Sequence, residues 1–128
     1  SIHVIKYSED ELPQHVIKRR VISEETAKSV TRLLAKSIAN GKTPLNLEKY
    51  TTCAKTGTSN KNFKKGNSVY ASAIGYFPSK SPKIAVYVVI DSPKTGVDYG
   101  GTIASPLFRK ISTDIGRLLN IPPDKVKN

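Results

Sequence analysis

The run Ile84-Ala85-Val86-Tyr87-Val88-Val89-Ile90 constrains this chain more than any other segment. At seven residues it is far shorter than the roughly 20 that a membrane-spanning helix needs. Its β-branched and aromatic content favours a strand. It is apolar at odd and even positions alike, so both faces need cover, and that predicts a central strand over 83–91. The segment before it, 68–77, alternates. Val69, Ala71, Ala73 and Gly75 fall on one face, and Tyr70, Ser72, Ile74 and Tyr76 on the other. Small residues on the first face suit the close approach of a helix. The turn Ser79–Pro82 is too short for a crossover, so these two strands should be antiparallel neighbours. A further strand is predicted over 50–58.

Two helices complete the pattern. Residues 24–39 follow Ser23, a good N-cap, with Glu24 and Glu25 in the first turn, where the helix dipole favours negative charge. Ala27, Val30, Leu34 and Ile38 recur near helical spacing, with Leu33 beside them, and Asn40-Gly41 supplies a stop. Residues 103–119 carry a broad apolar stripe of Ile103, Leu107, Phe108, Ile111, Ile115, Leu118 and Leu119. Pro106 is expected in the first turn, and Pro122-Pro123 prevents continuation. Asp91–Gly101 reads as a loop. The expected class is therefore α/β (α+β), an antiparallel sheet packed with helices. Residues 1–22 read as an extended arm or hairpin, 23–124 as the folded part, and 125–128 as a disordered tail.

Composition narrows the chemistry. One cysteine excludes an internal disulfide, and the small neighbours of Cys53 favour a buried side chain over a reactive thiol. His3 and His15 have no partners at ligand spacing, so neither metal nor cofactor is expected. Gly41-Lys42-Thr43 lacks the glycine that a phosphate loop needs at position 36, and Pro44 opposes the helix that should follow. The net charge of +11 invites a nucleic-acid reading. However, Lys18-Arg19-Arg20 and Lys61–Lys65 are not interleaved with aromatics as a base-stacking surface would be. A solvated basic surface on an extracytoplasmic domain, or attraction to anionic lipid or cell-wall polymer, accounts for the charge without nucleic acid.

The chemistry concentrates in Lys55-Thr56-Gly57-Thr58, with Ser59 after it. Gly57 lets a ligand approach the backbone closely. Lys55 brings a positive field for a carboxylate or for proton transfer. Thr56 and Thr58 bring hydroxyls, and Thr58 a backbone N–H as well. A serine acyl transferase needs such groups to stabilise an oxyanion and hold a substrate carboxylate. Lys-Thr-Gly is one of three short motifs shared by penicillin-binding proteins and class A β-lactamases. The other two, Ser-x-x-Lys and Ser-x-Asn, do not occur in this sequence. Taken alone, the tetrapeptide is equally an ordinary strand-to-turn with an exposed lysine.

The surroundings extend the match. Val21–Ala27 is followed by Ala54–Ser59, then Tyr70–Pro78, Ala85–Lys94, Tyr99–Pro106 and Leu119–Asp124. In that order and at those spacings the set resembles the C-terminal part of class B penicillin-binding proteins. The Tyr99-Gly100-Gly101-Thr102 segment is most similar to the septal, cell-division type.

The resemblance implies a partial penicillin-binding transpeptidase fold, serine β-lactamase-like, in which a five-stranded antiparallel sheet lies between helices. It implies that two further strands pair with Ile84–Ile90 and come from a missing N-terminal part of the transpeptidase domain. Lys55 would be catalytic and would assist proton movement. Thr56, Gly57 and Thr58 would bind the terminal carboxylate of a D-Ala-D-Ala stem peptide or of a β-lactam, with the Thr58 N–H forming half of an oxyanion hole. Tyr99-Gly100-Gly101 would lie in a loop bordering the cleft, although the residues themselves argue only for a turn. The implied partners are the peptidoglycan stem peptide, β-lactams and the missing N-terminal part. The implied location is the extracytoplasmic face of the cell membrane, and the chain alone would be inactive. A non-catalytic basic domain binding cell wall or nucleic acid is the competing reading.

Overall fold

The computed structural model describes residues 20–60, 69–93 and 99–125. Nearly all of the expected N-terminal arm, most of the lysine-rich segment after Asn60, and 126–128 lie outside the described residues. The elements run α1 (Glu24–Asn40), β1 (Cys53–Asn60), β2 (Val69–Phe77), β3 (Ile84–Asp91) and α2 (Gly100–Leu118). The strands form one antiparallel sheet in the order β1-β2-β3. The α/β class with an antiparallel sheet and flanking helices is therefore observed.

Alternation along β2 determines the layers. Val69, Ala71, Ala73, Gly75 and Phe77 are buried on one face, and α2 packs there. A Cβ at Gly75 would come within 2.9 Å of the Phe108 ring and 2.6 Å of Ala54 Cβ, so only glycine allows this approach. Phe77 and Phe108 are fully enclosed, each burial contributing about 1.5–3 kcal/mol. The segment between α1 and β1 joins this core through Leu45, Leu47 and Tyr50. Tyr50 stacks beside Phe77 with ring centroids 5.1 Å apart. Its hydroxyl donates to the Ile121 carbonyl at 2.8 Å, tying the chain after α2 to the core. Arg109 of α2 holds the same segment by donating to the carbonyls of Pro44, Thr43 and Asn46.

Helix α1 lies on the opposite face, against β1. The hydroxyls of Thr31 and Tyr76 are 2.8 Å apart there, and Cys53 Sγ donates to the Thr31 carbonyl at 3.2 Å. Cys53 is buried, as its small neighbours suggested. Ser23 caps α1 by accepting from the Thr26 N–H at 3.1 Å. The buried stripe differs from the expected one. Ala27, Thr31, Leu34, Ala35 and Ile38 turn inward, whereas Val30 and Leu33 are exposed. Thr31 takes an inward position because a tyrosine hydroxyl meets it.

Three further expectations are corrected. Among the described residues β3 is an edge of the sheet, not its centre. Val86 and Val88 are buried under α2, but Tyr87 (65% exposed) and Val89 (46%) face solvent on the α1 side, next to Ile74 (52%). Helix α2 begins at Gly100, three residues earlier than expected, which places Pro106 inside the helix rather than in its first turn. Strand β1 starts at Cys53 and continues to Asn60, because Tyr50 is turned into the core.

Candidate active site

Strand β1 carries Lys55-Thr56-Gly57-Thr58 along a sheet edge with no strand beyond it among the described residues. Directly paired residues in an antiparallel ladder share a face. Thr56 is opposite Ala73 and Thr58 opposite Ala71, which places both hydroxyl side chains on the α2 face. Lys55 is opposite Ile74 and Gly57 opposite Ser72, on the α1 face. The lysine and the hydroxyls therefore straddle the strand, and a ligand meeting both has to lie along its outer edge.

The backbone points the same way. Ser72 Oγ donates to the Gly57 carbonyl at 3.3 Å, so that carbonyl is turned towards β2. In a trans peptide the N–H lies opposite the C=O. The Thr58 N–H, which shares the Gly57 peptide unit, thus faces away from the sheet. Strand alternation gives Thr56 the same orientation as Thr58. Lys55 Nζ donates to the Thr56 carbonyl at 3.0 Å, which brings the ammonium to this outer edge. Lys55 and Thr58 are exposed, while Thr56 and Gly57 are half-buried. Among the described residues Lys55 forms no ion pair, so its charge is free to meet an anion.

The start of α2 closes one side of this edge. The Gly100 N–H donates to Thr58 Oγ1 at 3.0 Å. A Cβ on Gly100 would come within 2.4 Å of the Gly57 oxygen and 2.7 Å of the Ser72 oxygen. Close backbone approach is what selects glycine there. Sequence reasoning placed Gly100 in a loop and gave Ser72 no role. The signal for Ser72 was its register position opposite Gly57, visible only once the strand ends are known.

The four motif residues come together as one continuous edge, but they do not line an enclosed cavity. A hollow of about 910 Å³ lies instead between Tyr50, the second half of α2 and Ile121–Pro123. No Lys-Thr-Gly residue lines it, and Arg109 at its rim is already committed to three carbonyls. The hydrogen-bond donors of the motif sit on the open β1 edge, away from that hollow. No group of His, Cys, Asp or Glu suited to a metal forms among the described residues.

Comparison with known proteins gives consistent matches. The sequence profile described as the penicillin binding protein transpeptidase domain matches residues 1–113. Stage V sporulation protein D of Bacillus subtilis is 38% identical over 116 residues, covering 86% of this chain and 18% of that protein. Peptidoglycan D,D-transpeptidase FtsI of Escherichia coli is 32% identical over 111 residues, covering 82% of this chain and 19% of that protein. The apo transpeptidase domain of Burkholderia pseudomallei penicillin-binding protein 3 superposes with a TM-score of 0.73 at 33% identity. That superposition covers 84% of this chain and 34% of that one. The chain thus spans about a fifth of the length of the curated relatives it matches.

Proposed function

The chain belongs to the penicillin binding protein transpeptidase family, and from that premise we propose that it supplies the Lys-Thr-Gly wall of a peptidoglycan D,D-transpeptidase active site. The observation that carries the reading is the outer edge of β1, where the Lys55 ammonium and the Thr58 N–H face the same side. In this account the substrate is the D-Ala-D-Ala end of a peptidoglycan stem peptide, or a β-lactam in its place. Thr56 and Thr58 donate their hydroxyl protons to the substrate carboxylate. The Thr58 N–H stabilises the oxyanion that develops when a serine hydroxyl adds to the scissile carbonyl. Lys55 assists the movement of the serine proton to the leaving D-alanine amine. An amine from a neighbouring stem peptide then displaces the serine and forms the cross-link. No metal or other cofactor enters this scheme.

The serine is not in this sequence, so the other wall comes from the rest of the transpeptidase domain, preceding residues 23–124. The same portion would cover the edge of β3 that is free among the described residues, and the exposed Ile74, Tyr87 and Val89. The location that suits the reaction is the extracytoplasmic face of the cell membrane, where peptidoglycan lies. The basic surface then meets anionic cell-wall polymer or lipid, not nucleic acid.

The test is Lys55→Ala in the complete transpeptidase, read as the rate of acylation by a β-lactam. The expected fall is about 100-fold or more, the range typical of a lost proton-transfer group. An unchanged rate would remove Lys55 from the site.

A further inference from the structure

Thr58 carries two donors that the proposed reaction uses for different purposes, its backbone N–H and its hydroxyl. Each is held by a residue that would not itself touch the substrate. The Ser72 hydroxyl donates to the Gly57 carbonyl at 3.3 Å, at the far end of the peptide unit whose N–H belongs to Thr58. A hydrogen bond accepted at a C=O polarises the peptide and strengthens the N–H at its other end. It also fixes the plane of that peptide. The need is specific to this position, because Gly57 has no side chain to restrict its backbone.

The second donor is held from the other face of the sheet. The Gly100 N–H donates to Thr58 Oγ1 at 3.0 Å. A hydroxyl has one proton and two lone pairs. With one lone pair engaged by Gly100, the Thr58 side chain is fixed in place and its proton remains available to an incoming carboxylate. The two supports come from opposite sides of the sheet, Ser72 reaching from the α1 face and Gly100 from the α2 face. Gly100 can stand so close only without a Cβ, which would meet the Gly57 oxygen at 2.4 Å.

We propose that Ser72 and Gly100 are positioning residues for the two hydrogen-bond donors of Thr58, Ser72 for the N–H that meets the oxyanion and Gly100 for the hydroxyl that meets the carboxylate. The inference rests on the transpeptidase reading above and assigns the residues outside the motif that make it work. It separates two effects. Ser72 acts on the transition state, since the oxyanion exists only there. Gly100 acts on binding, since the carboxylate is present throughout.

The experiment measures the non-covalent dissociation constant and the acylation rate constant for a β-lactam on the complete transpeptidase, with Lys55→Ala alongside. Ser72→Ala should lower the acylation rate constant roughly tenfold, the upper end for one neutral hydrogen bond. It should leave the dissociation constant within about twofold, as loss of an interaction made only in the transition state requires. Ser72→Thr, which restores a hydroxyl, should recover most of the rate. Gly100→Ala, whose Cβ would press on the Gly57 and Ser72 backbones, should raise the dissociation constant roughly tenfold and lower the acylation rate as well, and an unchanged dissociation constant overturns the role of Gly100. An unchanged rate constant in Ser72→Ala, with Lys55→Ala still defective, overturns the positioning role and leaves the transpeptidase reading standing. A lower rate constant together with a raised dissociation constant and a lowered melting temperature also overturns it, since that is the behaviour of a structural residue. If Lys55→Ala is fully active, the underlying reading is what fails.

Discussion

At the residue scale the molecule is governed by a few close approaches that admit only one side-chain size. Gly75, between the sheet and α2, is one of them. An added methyl would meet Ala54 Cβ and the Cys53 oxygen at 2.6 Å and the Phe108 ring at 2.9 Å. Two of those three neighbours are a strand backbone and its Cβ, which cannot swing aside. Gly75→Ala should therefore destabilise the chain by about 1–3 kcal/mol, the usual consequence of overpacking. The check is the urea midpoint, and an unchanged midpoint would mean that α2 rides further from the sheet than described. The motif residues themselves were legible from the sequence, because Lys55-Thr56-Gly57-Thr58 is a contiguous string of chemically matched groups. Ser72 and Gly100 were not. The role proposed for each depends on which backbone or side-chain atom it meets, and that is a property of register and helix docking rather than of local pattern.

At the element scale, legibility followed periodicity. The alternation of Val69–Phe77 gave β2 and its two faces correctly, since small residues and glycine can serve only one purpose there. The seven apolar residues of β3 gave a strand correctly but suggested a central one, and the described sheet leaves one face and one edge of it open. A sequence reports that a strand needs cover on both sides, not whether the covering segments are part of the same chain. Residues 50–52 read as the start of a strand and 41–49 carried no predicted element, yet Leu45, Leu47 and Tyr50 are core residues. Their anchors are Arg109 and Ile121, more than 60 residues away, and no local rule sees them. The start of α2 was misplaced for a similar reason, because its first N–H groups are received by Thr58 Oγ1 and the Tyr99 carbonyl rather than by a recognisable side-chain cap.

The contact between α1 and the sheet is also the site of a pH effect. Burial raises the Tyr76 phenol above its usual range. The Thr31 hydroxyl opposes that shift, and Cys53 adds to it. Unfolded tyrosine ionises near pH 10, while folded Tyr76 keeps its proton beyond that point. Its contribution to stability is thus fully present below about pH 10 and is lost as pH rises through the folded value. Tyr76→Phe should be less stable than wild type by about 1 kcal/mol near pH 8, through the lost Thr31 bond. That deficit should shrink above pH 10, because phenylalanine has no proton to lose. Urea midpoints of both proteins at the two pH values measure it, and a deficit independent of pH would contradict the assignment. Lys125 gives the opposite slope. Burial lowers its ammonium below the usual lysine range, with Asp124 opposing and Arg109 reinforcing. The comparison with Tyr76→Phe cancels this background, since both proteins share Lys125.

At the scale of the whole molecule, a half-built cleft and a half-covered sheet have the same explanation. Among the described residues the donors on β1 line an edge with no strand beyond it, and β3 presents an edge of the kind that promotes strand-to-strand association. Both deficits would be met by the portion of a transpeptidase domain that carries the nucleophilic serine. The measurement that tests this most directly is intact mass after incubation with a β-lactam. It is made on the chain alone and on the chain mixed with the preceding part of its transpeptidase domain. The account predicts no adduct on the chain alone and a covalent adduct on the preceding part once the two are combined. A covalent adduct on the isolated chain would contradict it, because the nucleophile would then lie within these residues.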